Sequence, residues 1–162
     1  QAEFPGCTSL VIADRLGDPG NLGTLVRTAA ATGAAIWTLS GSADLYEPKA
    51  LRASMGTLFL VPHRQRLSPA EAIAGVRALG LTLVAADARG ATDYAAMDWR
   101  QPFALVIGSE AHGICPELLA AAARVVHLPM APGVESLNAA VTGAVLLFEA
   151  MRQRRMGTGG RL

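Results

Sequence analysis

Six short apolar or β-branched runs punctuate the chain, and each has the length of a buried strand. They cover residues 9–13, 36–39, 57–61, 81–86, 103–107 and 125–128. Segments with apolar residues at steps of three and four alternate with these runs, as in helices that pack on a sheet. This alternation, with strands that are continuously apolar, is typical of a parallel sheet with helices on both faces. The sequence therefore predicts an α/β fold.

Helix starts are marked by residues that suit a first turn. The predicted helices begin at Asn21, Pro48, Ser68 and Pro116. Ser68 is followed three residues later by a glutamate, the spacing of a capping box, and the helix that it opens is expected to end at Leu79. The first helix should place Arg27 on the side away from the core, about 140° from Leu22 at about 100° per residue.

The last predicted helix is apolar nearly all round. Ser136 is its expected N-cap, and cationic residues up to Arg155 complement its last turn. One apolar stripe at steps of three and four consists of Leu137, Val141, Ala144, Val145 and Phe148. Leu146, Leu147 and Met151 fall outside this stripe, so the helix must be buried on more than one side. A dimer interface would bury the second side of the helix.

Composition limits the possible classes of protein. A chain of 162 residues, 51% hydrophobic and 17% charged, suffices for one well-buried domain and is too short for two. No apolar run reaches the roughly 18 to 20 residues of a membrane span, and the start lacks a signal-peptide pattern, so the cytoplasm is the default compartment. A net charge of +1 does not require a nucleic-acid partner. Lys49 is the only lysine among 14 basic residues, a bias that serves phosphate binding or reflects genomic base composition.

Three polar loops follow predicted strands, where an open parallel sheet binds its ligands. They are residues 18–21, with Arg27 shortly after, residues 108–113, and residues 128–138. None has the glycine spacing of a dinucleotide site or of a nucleoside triphosphate loop. The bare backbone at Gly108 and the side chains of Leu128, Met130 and Leu137 would instead suit an adenosine-like ligand without a phosphate tail.

The sequence indicates no metal site. No cluster of histidine, cysteine and aspartate has metal-ligand spacing. Cys7 and Cys115 match neither a metal nor a redox motif, which favours packed thiols and leaves a disulfide open. His63 and His127 are interpreted as structural, whereas His112 is either a proton carrier or an ordinary polar loop residue.

The three loops resemble the motifs of a known family. DPGNLGTLVRTAAATGA (residues 18–34), FALVIGSEAHGICPELL (103–119) and LPMAPGVESLNAAVTGAVLLFEA (128–150) look like motifs one, two and three of SpoU-type (TrmH-like) RNA 2′-O-ribose methyltransferases of the SPOUT class. Residues 44–59 are similar to the family's linking segment, so the resemblance covers nearly the whole chain in the right order. It implies an α/β trefoil knot in the C-terminal part, a bent S-adenosyl-L-methionine cofactor at the knot, a homodimer, and tRNA or rRNA as substrate.

The resemblance also implies the site residues. The matched catalytic positions are Asn21, Arg27, Glu110, Ser136 and Asn138. The matched cofactor contacts are Gly108, Leu128 and Leu137, to which Met130 is added for its apolar side chain and Ser136 as a ligand of the nucleotide or of the methionine carboxylate. Glu135 matches a position of the same motif. For Ser136 and Asn138, plain helix capping is the alternative.

Each implied role has a physical interpretation. Arg27 would bind an RNA phosphate or the ribose oxygen, and its alternative is an exposed solubilising residue. A guanidinium stays protonated near neutral pH, so its use as a general base would cost several kcal/mol. A phosphate oxygen or water is the easier proton acceptor, with Arg27 stabilising the developing oxyanion. Glu110 would anchor Arg27 or Asn21, or else is a solvated loop carboxylate.

The domain prediction is a catalytic domain over residues 1–156 and a disordered tail over residues 157–162. Many members of the family begin with a separate RNA-recognition domain, which has no counterpart in this sequence. Either the sequence is a trimmed catalytic domain or it is a minimal form that reads RNA through its dimer surface. Two rival functions remain: an inactive RNA-binding protein with the same fold, and an ordinary doubly wound nucleotide-binding enzyme.

Overall fold

The computed structural model describes residues 4–157. Its strands are β1 (Ser9–Asp14), β2 (Ala35–Leu39), β3 (His63–Leu67), β4 (Thr82–Ala86), β5 (Thr92–Asp93), β6 (Phe103–Gly108) and β7 (Arg124–His127). Its α-helices are α1 (Pro19–Thr32), α2 (Pro48–Ala53), α3 (Pro69–Ala78), α4 (Pro116–Ala121) and α5 (Ala139–Gly157), and two 3₁₀ turns cover Thr57–Leu60 and Tyr94–Ala96. Within residues 4–157 the strands form one parallel sheet in the order β3-β2-β1-β6-β4-β7-β5. The predicted parallel α/β fold is confirmed.

The sheet is buried on both faces. In β1, Val11 and Ala13 point into the core beneath α1 and α5, whereas Leu10 and Ile12 point into the core beneath α3 and α4. A strand covered on both faces needs apolar side chains at every position, because successive residues alternate between faces. This explains why the central strands are continuous apolar runs in the sequence.

The prediction of a strand over residues 57–61 was wrong. Thr57–Leu60 is a 3₁₀ turn that buries Leu58, and the strand follows as β3. β3 lies at the edge of the sheet, and its residues before Leu67 are alternately half-buried and exposed. An edge strand exposes one face to water, so its sequence can be polar and carries no apolar signal. The two residues of β5, at the other edge, are too few for any pattern.

Two helix starts differ from the prediction. The N-cap of α1 is Asp18, whose carboxylate accepts a hydrogen bond of 2.8 Å from the backbone N–H of Asn21. The N-cap of α5 is Asn138, whose Oδ1 accepts from the N–H groups of Ala140 and Val141 at 2.9 and 3.2 Å. The side chains of Asn21 and Ser136 are therefore not used for capping. The capping box of Ser68 and Glu71 is confirmed.

The apolar stripe predicted for α5 is not the buried one. The positions that face the sheet and α1 are Ala139, Ala140, Gly143, Leu146, Leu147 and Ala150. Val141 and Phe148 of the predicted stripe are instead 47% and 49% exposed. The helix is apolar on two sides, as predicted, but the single chain covers only one of them.

Arg154 binds the C-terminal part of α5 to the sheet. Its guanidinium donates to the backbone carbonyls of Thr8, Trp99 and Gln101 at 2.9 to 3.1 Å, and burial lowers its pKa. These carbonyls lie at the amino ends of β1 and β6. Gly157, which the prediction placed in the tail, is the last residue of α5, and residues 158–162 lie outside the described part of the chain.

Two further expectations concern cysteines and membranes. Cys7 and Cys115 are both free, half-buried and buried respectively, which agrees with packed thiols rather than a disulfide. Burial raises the pKa of both thiols.

Among residues 4–157, none of the helices combines the length and the hydropathy that crossing a bilayer requires.

The contact between α1 and α2 depends on Gly23. A Cβ atom at this position would overlap the carbonyl of Ala50 and approach the Cβ of Ala53 to 2.7 Å. We expect Gly23→Ala to lower the free energy of unfolding by about 1–3 kcal/mol through overpacking, more than the roughly 1 kcal/mol that alanine adds in helix propensity. Urea unfolding followed by circular dichroism measures this. Gly17→Ala, where a Cβ meets nothing within 4 Å, is the control, and an equal effect of both changes would contradict the prediction.

Candidate functional site

The three polar loops lie together at one edge of the sheet. β1, β6, β4 and β7 are consecutive neighbours, so the loops that follow β1, β6 and β7 leave the sheet on the same side. Asp14, the last residue of β1, is in register with Gly108, the last residue of β6. The N-terminus of α5 follows the third loop. The arrangement matches the expectation that polar groups at strand carboxyl ends form one site.

Side chains from the three loops form a hydrogen-bonded network. Asn138 Nδ2 donates to Asn21 Oδ1 at 2.9 Å, across 117 positions of sequence. Because Asn138 Oδ1 caps α5, the helix fixes which way the Asn138 amide is turned. Asn138 Nδ2 is then a donor toward Asn21, so Asn21 must offer its Oδ1 as the acceptor. Within residues 4–157, Asn21 Nδ2 then has no hydrogen-bond partner, so its two N–H donors are left for a ligand. We call Asn21, Glu110 and Asn138 the polar network.

Glu110 joins this network through the backbone. Its Oε1 accepts a hydrogen bond of 3.1 Å from the N–H of Ala139, the first residue of α5. The expectation that Glu110 anchors Arg27 or Asn21 stays a prediction, since among residues 4–157 its hydrogen bond is to neither of them. Its partner is an N–H at the start of a helix, where backbone donors have no acceptor within the helix. A carboxylate there is also favoured by the helix dipole.

An apolar cleft opens beside the polar network. We define it by its walls, Ile107, Val126, Leu128, Met130, Leu137 and Leu146. All predicted cofactor contacts line it, since Gly108 and Ser136 belong to the same cleft. At Gly108 a Cβ atom would overlap the carbonyl of Gly113 and come within 2.6 Å of the N–H of Ile114. Only glycine lets the loop after β6 fold back here, which places Glu110 near its tip.

Two titratable residues of the cleft were not predicted as site residues. Asp87 directly follows β4, and its carboxylate is held by hydrogen bonds from Arg89, which lower its pKa. The rule that ligands gather at strand ends would have found it. His127 lines the cleft as well, and its Nδ1 is buried without a hydrogen-bond partner among residues 4–157. The sequence carries no signal for that.

The remaining predicted residues lie apart from the network. Arg27 is exposed on α1 and does not line the apolar cleft. It follows Asn21 by six residues, about 9 Å along the helix axis at about 1.5 Å per residue. Glu135 is exposed in the loop before α5, and His112 is exposed in the loop after β6. No group of three possible metal ligands occurs in the described part of the chain.

Comparisons with known proteins give a consistent result. The model of the SpoU rRNA Methylase family matches residues 8–148. A 23S rRNA (uridine(2479)-2′-O)-methyltransferase of Streptomyces viridochromogenes is 39% identical over 153 residues, which cover 91% of this chain and 53% of that protein. The chain thus spans about half the length of such relatives.

Solved structures agree with this similarity. The crystal structure of the SpoU methyltransferase AviRb from Streptomyces viridochromogenes in complex with AdoMet has a TM-score of 0.88 and 37% identity, and the match covers 91% of this chain and 61% of that one. A structure that concerns 2-OH methylation of C/U34 on tRNA has a TM-score of 0.83 and 30% identity, and the match covers 94% of this chain and 97% of that one.

Proposed function

Because this chain belongs to the SpoU rRNA methylase family, we propose that it transfers a methyl group from S-adenosylmethionine to a ribose 2′-hydroxyl of tRNA or rRNA. The observation that carries the proposal is the polar network, which joins Asn21, Glu110 and Asn138 beside an apolar cleft. We further propose that residues 1–156 are the catalytic domain and that the chain has the trefoil knot of the SPOUT class. A cytoplasmic location stays a prediction.

The apolar cleft fits the cofactor chemically. Leu128, Met130 and Leu137 offer apolar walls for an adenosine body, and Ser136 offers a hydroxyl at the helix N-terminus, where a carboxylate is favoured. Asp87 adds carboxylate oxygens that can accept hydrogen bonds from a ligand, while Arg89 balances its charge. When bound, S-adenosylmethionine supplies an activated methyl group on a sulfonium. The placement of these residues supports their role as cofactor contacts.

The polar network would position the ribose. The two unpaired N–H donors of Asn21 are suited to a ribose oxygen, and Asn138 holds that amide in place. Glu110 fixes the start of α5 and therefore the position of Asn138. The proton of the hydroxyl would leave to water or to a phosphate oxygen of the RNA, since neither network amide is a base. Arg27 would stabilise the negative charge that develops on the oxygen.

We propose that Arg27 reaches the site through a homodimer. α1 lies between α2 and α5, since Gly23 packs on Ala50 and Gly143 packs on Leu25. Exposed apolar side chains flank it on both sides: Leu137, Val141 and Phe148 at α5, and Met55, Phe59 and Leu60 after α2. We call this surface the α1–α5 face. Monomeric proteins seldom expose contiguous apolar patches of this kind, and a second copy would cover it. Arg27 would then lie beside the partner's cleft.

Charges placed on the α1–α5 face should separate the two subunits. We expect the double change Val141→Glu and Phe148→Glu to give a monomer in size-exclusion chromatography with light scattering, because two carboxylates would be buried without partners. Methyl transfer should fall with the dimer. Tyr46→Glu, at an exposed aromatic residue beside the edge strand, is the control. A stable dimer of the doubly substituted protein would rule out this face.

The test of the function has two steps. Calorimetry measures S-adenosylmethionine binding, and transfer of a tritiated methyl group to total RNA from a strain that lacks the gene measures catalysis. Mapping of ribose methyl marks in that RNA then identifies the nucleotide. Cofactor binding without transfer to any RNA would favour the inactive RNA-binding alternative.

A further inference from the structure

A second cleft adjoins the polar network on the side of α1. Its polar walls are Arg15, Asp18, Asn21, Ser109, Glu110 and His112. We call it the polar cleft. Ser109 and Glu110 also line the apolar cleft, so the two clefts meet at the polar network. A ribose held at the network would therefore have its methyl donor on one side and the polar cleft on the other.

We propose that the polar cleft receives the base of the nucleotide to be methylated, stacked on the planar groups of Arg15 and His112. This inference rests on the proposed function, because it assigns the neighbouring position to the ribose. Proteins that recognise single-stranded RNA stack unpaired bases on arginine and histidine planes and hydrogen-bond their edges. The hydroxyl of Ser109 and the carboxylate of Asp18 supply such partners at the cleft wall.

Arg15 is held in place by several contacts. Its Nε donates to Asp14 Oδ1 at 2.9 Å, and its Nη2 donates to the carbonyl of Gly113 at 3.4 Å. Asp14 is itself 1% exposed and accepts from the N–H of Cys115. The guanidinium plane is thus fixed before any ligand arrives, although about a third of the side chain, 34%, is exposed.

The backbone around Arg15 is also specialised. Arg15 has a φ of 54°, a left-handed conformation that is unfavourable for a residue with a side chain. Its aliphatic stem packs over Gly41, where a Cβ atom would lie 3.2 Å from Arg15 Cγ. Strain of this kind persists where the surroundings enforce it, and it is concentrated at functional sites.

The charges of the cleft favour a base over a phosphate. Asp14 neutralises Arg15, and Lys49 neutralises Asp18 at 2.8 Å. The carboxylate of Glu110 adds a negative charge at the boundary with the apolar cleft. A phosphate would meet no surplus of positive charge, whereas a neutral planar base needs none. The backbone N–H of His112 donates to Ser109 Oγ at 3.0 Å, and the ring Nδ1 lies 3.4 Å from the same oxygen. The imidazole of His112 offers a second exposed ring.

The experiment compares RNA binding among matched variants. Filter binding uses labelled total RNA from a strain that lacks the gene, with S-adenosylhomocysteine present. We expect Arg15→Ala and His112→Ala each to raise the Kd for RNA about tenfold, as the loss of one stacked base predicts. His112→Phe should bind like wild type, and Arg15→Lys should stay weak because lysine has no plane to stack. The Kd for S-adenosylmethionine should not change.

Controls separate stacking from charge and from the proposed function. Arg100→Ala removes another arginine paired with an aspartate, Asp98, and should leave RNA binding unchanged. Rescue by Arg15→Lys, or a salt slope of log Kd that falls by about 0.7 in Arg15→Ala, would mean a phosphate contact and overturn the base site. Wild-type affinity of Arg15→Ala would overturn it as well. If the wild-type protein binds RNA but transfers no methyl group, the proposed function is contradicted. The base site is still tested in that case, because its test compares only the RNA affinities of the variants.

Discussion

Replacing Arg27 with alanine is expected to lower kcat for methyl transfer by about 10²- to 10³-fold, the usual effect of removing one group that stabilises a developing oxyanion. The affinity for S-adenosylmethionine should be unchanged, since Arg27 does not line the apolar cleft. Fold stability should also be unchanged, because the side chain is exposed and outside the core. The effect would therefore appear in the chemical step alone.

Steady-state kinetics with RNA from the strain that lacks the gene, together with light scattering, separates the possible roles of Arg27. Arg27→Lys keeps the charge but not the planar fork, so we expect it to recover only part of kcat. Arg77→Ala removes a comparable arginine from the last turn of α3, on the opposite face of the sheet, and should be silent. Normal kcat in Arg27→Ala would show that this residue is a solubilising side chain. Loss of the dimer would show that it acts through assembly.

The sequence predicted the layers of this fold because burial on two faces leaves an unmistakable pattern. β1 and β6 are continuously apolar, and each is covered by helices on both sides. β3 was missed because it is an edge strand that is exposed to water on one side, so polar residues interrupt its apolar pattern. The same limit applies to α5: periodicity shows that Val141 and Phe148 are apolar neighbours, but it cannot say whether their partner is the same chain or another.

The residues of the polar network were predictable, but their contacts were not. Resemblance to the family identified Asn21, Glu110 and Asn138, which lie far apart in sequence, and the structure brings them together. Which amide accepts and which donates depends on where α5 begins, and its N-cap, Asn138, lies two residues beyond the predicted cap at Ser136. Asp18 likewise takes the capping role that was expected of Asn21. In both loops the cap position decides which side chain is left for a ligand.

Asn138 has two roles, and substitutions should separate them. Asn138→Ala is expected to lose both methyl transfer and about 0.5–2 kcal/mol of stability, since it removes the N-cap of α5 and the bond to Asn21. Asn138→Asp still caps the helix, and a negative charge there is favoured by the helix dipole. Aspartate has no hydrogen to donate, however, so the amide of Asn21 must rotate and present its oxygen, rather than its N–H donors, to the ribose.

We therefore expect Asn138→Asp to unfold in urea within about 0.5 kcal/mol of wild type while kcat falls by about 10²-fold or more. Ser68→Ala is the matched control, because it removes the N-cap of α3 at a similar cost in stability and should leave methyl transfer intact. If Asn138→Asp were as active as wild type, Asn138 would be a helix cap and nothing more. If Ser68→Ala lost activity in proportion to its stability, the losses at Asn138 would reflect unfolding instead of catalysis. A loss of kcat without a loss of stability in Asn138→Asp would show that Asn138 orients the amide of Asn21, which in turn positions the ribose.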